Sequence, residues 1–284
     1  MDLGSAWTSL MDEGYAVIRG AVDAKVCDDI NQRIANFKQR NAKAVARNLD
    51  EHGRLYRVVN LHLAVDAITQ LLVRNAAIGV CDRFFGEPTS LYTTLYYERG
   101  SEQSLHRDTP MFCTTPSERY LGVWVALDDV SDDNGPLRVV PRSHLLPPID
   151  LARMRRDVFG DGSIAPLSPE GWNAYQEEVQ RQCNEANLAF LPMHAQRGDV
   201  IVWHPQLFHG GAPHLSPRTR RSVVMHVTPK GVPVGHMDVF FDPAKAVSRA
   251  KWGYYQRGDR HVAKFKRVDF GHEYGYRTWR LRRA

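Results

Sequence analysis

Gly198-Asp199-Val200-Ile201-Val202-Trp203-His204 continues through Pro205-Gln206-Leu207 to Phe208-His209-Gly210-Gly211, and the reading of this stretch decides the fold. A turn pair followed by β-branched and aromatic residues reads as a strand. The exit of that strand delivers His209. Further on comes the basic run Arg218-Thr219-Arg220-Arg221, after which Ser222, Val224 and His226 continue from Arg220 at a spacing of two. Side chains of an extended chain alternate between faces, so Arg220 shares one face of the apolar run Ser222 to Val227 with those three. Far upstream, Leu105-His106-Arg107-Asp108 has the same logic: His106 and Asp108 project one way and Arg107 the other.

Two imidazoles and a carboxylate can therefore be brought to one pocket by two rigid elements, with a guanidinium close by. Two His and one Asp on one face of a metal, with the opposite positions open, form the ligand set of non-haem Fe(II) oxygenases. A guanidinium at Arg220 can clamp a carboxylate through two parallel hydrogen bonds. Taken singly these residues say little: the chain has 12 His, and a lone His-x-Asp pair is ordinarily a hydrogen-bonded surface pair. The order of parts carries the weight. A strand with His-x-Asp, a long intervening stretch, a strand leading to His, and a strand opened by Arg occur in that sequence.

The rest of the chain predicts supporting helices followed by strands. Tyr15 to Arg19 reads as a strand, and Asp23 caps a helix whose Val26, Ile30, Ile34 and Phe37 recur at helical spacing. A second helix is expected over Val65 to Phe85. Ser90 to Tyr97, Leu121 to Leu127, Leu137 to Val140, Val200 to Trp203 and Ser222 to Val227 read as strands between Gly, Pro, Asn and Asp turns. Helices first and strands afterwards imply a mainly β architecture, an antiparallel sandwich or barrel with helical support. In Leu121 to Leu127, Leu121, Val123, Val125 and Leu127 lie on one face, and Gly122, Trp124 and Ala126 on the other. The second face, small-large-small, leaves room beside the indole. Between Leu145 and Gln196 an insertion with a helix over Pro169 to Asn187 carries Trp172 and Tyr175; with Met111, Phe112 and Cys113 it is either a substrate lid or surface decoration.

The chain resembles the phytanoyl-CoA dioxygenase family of Fe(II)/2-oxoglutarate-dependent oxygenases. Glu13-Gly14-Tyr15-Ala16-Val17-Ile18-Arg19-Gly20 is similar to the family's opening strand. Val123 to Val130, followed by Asn134-Gly135-Pro136-Leu137-Arg138-Val139-Val140-Pro141-Arg142-Ser143-His144, resembles its central strand, tight turn and Pro-x-Ser-His corner. The resemblance implies a double-stranded β-helix, the jelly-roll or cupin-like barrel. It implies Fe(II) held by His106, Asp108 and His209, 2-oxoglutarate held by Arg220 with Trp124 beside it, and O2 as oxidant. Hydroxylation of an unactivated C–H in a small metabolite, with an anionic one among the candidates, would release succinate and CO2. Desaturation, cyclisation or epoxidation use the same centre, whereas the retained Asp108 argues against halogenation. One departure stands out: many members carry Ser two residues after the second metal His, and here that position is Gly211.

Length and composition set the outer limits. A chain of 284 residues buries roughly three quarters of its unfolded surface, and 43 % hydrophobic content suits a single domain over residues 1–284. Within it, 1–89 would hold the first strand and supporting helices, 90–230 the β-helix core with its 145–196 insertion, and 231–284 a basic aromatic segment. Cys27, Cys81, Cys113 and Cys183 have no C-x-x-C spacing, which argues against a structural zinc site or a disulfide framework and fits reduced core thiols. No signal pattern opens the chain and no apolar run spans a bilayer, so a soluble, cytoplasmic protein without a membrane partner is expected.

The C-terminal segment leaves a second function class open. From Lys251 to Ala284 there are ten Lys or Arg against three acidic residues, a net +7 where the whole chain has +5. Interleaved aromatics, among them Trp252, Tyr255, Phe270, Tyr274 and Trp279, could stack on bases, making the protein an oxygenase of nucleic acid or another macromolecule. They equally suit a packed segment whose cations lie near the pocket mouth and meet an anionic substrate.

Overall fold

The computed structural model describes residues 2–242, 245, 253–270 and 275–284. Two antiparallel sheets face each other. The larger runs in the spatial order Tyr15–Ile18, Val200–Trp203, Leu121–Ala126, Ser222–Pro229 and Thr89–Tyr97. The smaller joins Leu191–Met193, Leu137–Val140 and Phe208–Gly211, and His106 bridges to His209 at its edge. Neighbours in each sheet come from distant parts of the chain, the winding of a double-stranded β-helix.

The alternation expected in Leu121 to Leu127 sorts the core. Leu121, Val123, Val125 and Leu127 pack outward into one cluster with Val26, Ile30, Ile34 and Phe37 of the Ala24–Arg40 helix. Trp124 and Ala126 point inward and join Ile201, Trp203 and Val139 between the sheets. The helix is thus the lid of the outer face, and its apolar stripe is what the sheet surface selects. Gly122 is required by the inner layer: a Cβ there would lie 2.0 Å from the Trp203 ring.

Several elements differ from expectation, each for a local reason. The stretch Val65 to Phe85 is broken into a 3-10 turn, Asp66–Thr69, and the helices Gln70–Val73 and Ile78–Phe85. Asn75 takes the Ala77 amide hydrogen on its side chain, and the Ala76 amide donates to Ala21, so helical bonding cannot continue. His209 does not end the Val200–Trp203 strand. Pro205 has no N–H for the ladder, Leu207 N–H turns back to His204, and Phe208–Gly211 begins anew in the other sheet. Asp108 lies just past the bridged His106, in a turn closed by the Met111 and Phe112 amides on its carbonyl. The insertion holds an unexpected helix, Leu151–Phe159, beside Pro169–Glu185.

The C-terminal segment extends the larger sheet. Val262 pairs with Leu91 and Asp269 with Val59. Among its described cations, Arg260 pairs with Asp82, Arg257 with Asp66, and the backbone of Arg282 docks on Asn41, so these three, contrary to expectation, do not line the pocket of the candidate metal ligands. Carboxylates of the helical layer hold Arg260 and Arg257. Phe270 is buried in the same cluster as Ile34, Tyr255 packs partly against it, and Trp279 is 75 % exposed; Lys251, Trp252, Glu273 and Tyr274 lie outside the described residues. Phe270→Ala should therefore destabilise the protein by about 3–5 kcal/mol, read from chemical denaturation, while Trp279→Ala should leave the midpoint unchanged.

Candidate metal centre

His106, Asp108 and His209 converge between the sheets, with one potential ligand atom from each lying within 4.8 Å of the others. His106 Nε2 is 3.4 Å from Asp108 Oδ1 and His209 Nε2 is 3.5 Å from Oδ2. The far nitrogens explain the aim of the near ones. His106 Nδ1 lies 2.6 Å from the Ser104 carbonyl and His209 Nδ1 3.0 Å from that of Leu207. A carbonyl can only accept, so both Nδ1 atoms carry hydrogen and both Nε2 lone pairs face the pocket, the tautomer a metal ligand needs.

Electrostatics agree with a cation site. Burial lowers His209 to about 4, against the pull of Asp108, so it is neutral at neutral pH. Burial alone would raise the Asp108 carboxyl, but His209, His106 and His226 hold it well below the usual carboxylate range. One carboxylate and two imidazoles form a donor set that suits a divalent transition metal.

Arg220 enters the same pocket and Arg221 does not. Arg220 is 3 % exposed, stacks 5.6 Å from the Trp124 ring and donates from Nη1 to Ser222 Oγ at 2.9 Å. Its Nε is buried without an acceptor. Burial brings the guanidinium down to about 10, still charged at neutral pH. Arg221 instead lies on Asp128 at 2.6 Å, and Arg218 on Asp133 at 2.9 Å. A second orphan donor, Trp203 Nε1, belongs to a residue of the same pocket. A buried cation with an orphan Nε and an indole donor without an acceptor, next to a metal-type donor set, fit a chelating dicarboxylate.

Trp203 and His226, given no role from the sequence, complete the site, together with Phe112 and Trp172, which were expected in the substrate lid. The Trp203 ring lies 4.8 Å from that of His209, tilted by 43°, and His226, at a bulge opposite Thr93, places Nε2 at 3.1 Å from Asp108 Oδ2. The spacing of His226 from Arg220 was the available signal for it; nothing marked Trp203. Phe112 stacks on His226 at 4.0 Å, and Trp172 of the insertion lies 5.7 Å from His106.

Gly211 is also explained. A Cβ there would sit 2.5 Å from Ser101 Oγ and 2.7 Å from the Glu102 amide nitrogen. Ser101 occupies the space a side chain at 211 would need, and it brings a hydroxyl of its own to the pocket wall. Gly211→Ser should accordingly cost about 1–3 kcal/mol of stability through overpacking, seen as a lower melting temperature.

Comparison with known proteins follows the same lines. A family model described as phytanoyl-CoA dioxygenase matches residues 10–222. Phytanoyl-CoA dioxygenase domain-containing protein 1 of Rattus norvegicus is 23 % identical over 189 residues, 66 % of this chain and 58 % of its own length. Its Danio rerio counterpart is 26 % identical over 130 residues, 45 % of this chain and 40 % of its own. The matched stretch thus spans about half the length of these relatives. The solved non-haem alpha-ketoglutarate-dependent epimerase SnoN, from nogalamycin biosynthesis, superposes with a TM-score of 0.61 at 17 % identity, covering 92 % of this chain and 98 % of that one. That likeness is one of fold.

Proposed function

The chain belongs to the phytanoyl-CoA dioxygenase family, and on that premise we propose that it is an Fe(II)- and 2-oxoglutarate-dependent dioxygenase hydroxylating an unactivated C–H of a small molecule. His106, Asp108 and His209 would hold the iron, and Arg220 the far carboxylate of 2-oxoglutarate. With 2-oxoglutarate and O2, such a centre supplies C–H oxidation coupled to loss of succinate and CO2. The observation that carries the reading is the pairing of a buried His-Asp-His cluster with a buried guanidinium whose Nε has no acceptor.

The chain's own residues position and exclude. Ser104 and Leu207 carbonyls fix the two imidazoles, and His226 holds one carboxylate oxygen of Asp108. Trp124 and Trp203 wall the cosubstrate's place and keep water from the guanidinium, which strengthens its grip on a carboxylate. Phe112, stacked on His226, and Trp172, beside His106, would set which C–H of the substrate comes close. Since the fold also serves an epimerase, this placement, and not the barrel, selects hydroxylation over desaturation or ring closure.

Succinate release tests the reading. Incubated with Fe(II), 2-oxoglutarate and O2, the protein should form succinate, slowly alone and faster with a substrate, and each omission should stop it. A protein that binds Fe(II) yet never forms succinate across a metabolite library would be a metal-binding barrel instead.

A further inference from the structure

A cavity of about 700 Å³ lies apart from the one that holds the candidate metal ligands. His106 and Asp108 border the metal pocket, whereas Arg107 and Thr109, from the opposite face of the same segment, border the larger cavity. The two cavities have no lining residue in common. Phe112 and Tyr120 connect them: Phe112 stacks on His226, its ring is 5.5 Å from that of Tyr120, and the Tyr120 hydroxyl meets Thr109 Oγ1 at 3.3 Å. The remaining wall is largely apolar, with Leu146, Ile149 and Leu151 from the insertion and Val239 and Phe240 opposite.

Arg107 gives this cavity its chemistry. The residue is 3 % exposed, and its guanidinium donates from Nη2 to the Ser143 carbonyl at 2.6 Å. Nε is buried with no acceptor, and no described carboxylate forms an ion pair with the group. The titratable neighbours do not compensate it. Burial lowers His144, and His204 to about 3, with Arg107 pushing both further down, and burial raises the Tyr175 phenol, so all three are uncharged at neutral pH. The wall carboxylate, Glu118, is 42 % exposed, takes a hydrogen bond from Gln206 and faces His204 at 3.8 Å. A buried cation without a counter-ion is costly unless an anion completes it. Lys245 borders the same cavity and adds a second positive charge. A cavity of this size, mostly apolar with a few convergent polar groups, is the form of a small-ligand site.

We propose that this cavity binds an organic monocarboxylate with an apolar body, its head on Arg107 and its body against Leu146, Ile149, Leu151, Val239 and Phe240. Glu118 turns the anionic head away from its own end of the cavity. Arg107 stands between two candidate metal ligands, and its backbone N–H and carbonyl are both clamped by the Gln176 side chain. A molecule held there is therefore either the one oxidised, reaching the metal past Phe112, or one that tunes the metal site through the segment it grips. Both sources present the same chemistry to Arg107.

Calorimetric titration of the full chain, without metal or 2-oxoglutarate, with naphthalene-2-carboxylate and the neutral naphthalene-2-methanol tests the proposal. The carboxylate should bind at least about tenfold more tightly, the scale of a buried charge-assisted contact. Arg107→Gln should remove that preference, and Val239→Trp, which fills the cavity, should weaken both probes. Equal affinity for the two probes, or an unchanged preference in Arg107→Gln, overturns the proposal. Should Arg107→Gln fail to fold, Val239→Trp decides: weakened binding supports the site and undiminished binding overturns it. Because the titration needs no iron, its failure is separate from failure of the metal-centre reading. Adding Fe(II), 2-oxoglutarate and O2 then distinguishes the sources, since an oxidised probe marks the substrate and altered succinate release without probe oxidation marks a regulator.

Discussion

Asp108→Ala and His209→Ala lose Fe(II) affinity and turnover together, while the circular dichroism of each variant stays that of the parent. The expectation follows from where the residues sit. Each removes one of three donors that converge between the sheets, and none of the three carries a strand's apolar packing. His226→Ala supplies the graded comparison: its Nε2 touches Asp108 Oδ2 and not the metal position, so it should weaken Fe(II) binding by about 10–100-fold, the usual cost of an outer partner. The two ligand variants should exceed that loss. Anaerobic Fe(II) titration and succinate release measure both quantities, and full activity in Asp108→Ala or His209→Ala would remove the central claim.

How far the sequence reaches can be judged from the same residues. His106 and Asp108 share a face because backbone alternation is local physics, and it survives although the turn at Asp108 interrupts the strand. The split of Val123 and Val125 from Trp124 was legible for the same reason. What escaped depends on long-range partners. No local signal says that Ser101 fills the space beside Gly211, that Ala76 spends its amide on Ala21 and breaks a helix, or that Trp203 lies over His209. The destination of the C-terminal cations was equally hidden, since Arg260 and Arg257 are placed by Asp82 and Asp66, acids of the helical layer far away in the chain.

Arg220→Ala raises the 2-oxoglutarate requirement by more than about tenfold, the consequence of losing roughly 2–5 kcal/mol of a desolvated charged contact. Its neighbours on the same run make the test specific. Arg221 is half-buried on Asp128, so Arg221→Ala should lower the melting temperature and leave the 2-oxoglutarate dependence alone. Arg218 pairs with Asp133 where both are well exposed, a setting in which ion pairs contribute little, so Arg218→Ala should be nearly silent in both measurements. Strand alternation is what separates the three: Arg220 shares its face with Ser222 and Val224, inside the barrel, and Arg221 takes the other. A large 2-oxoglutarate effect in Arg221→Ala with none in Arg220→Ala would mean that this strand presents the opposite face to the pocket, and the assignment of the cosubstrate's carboxylate would fall with it.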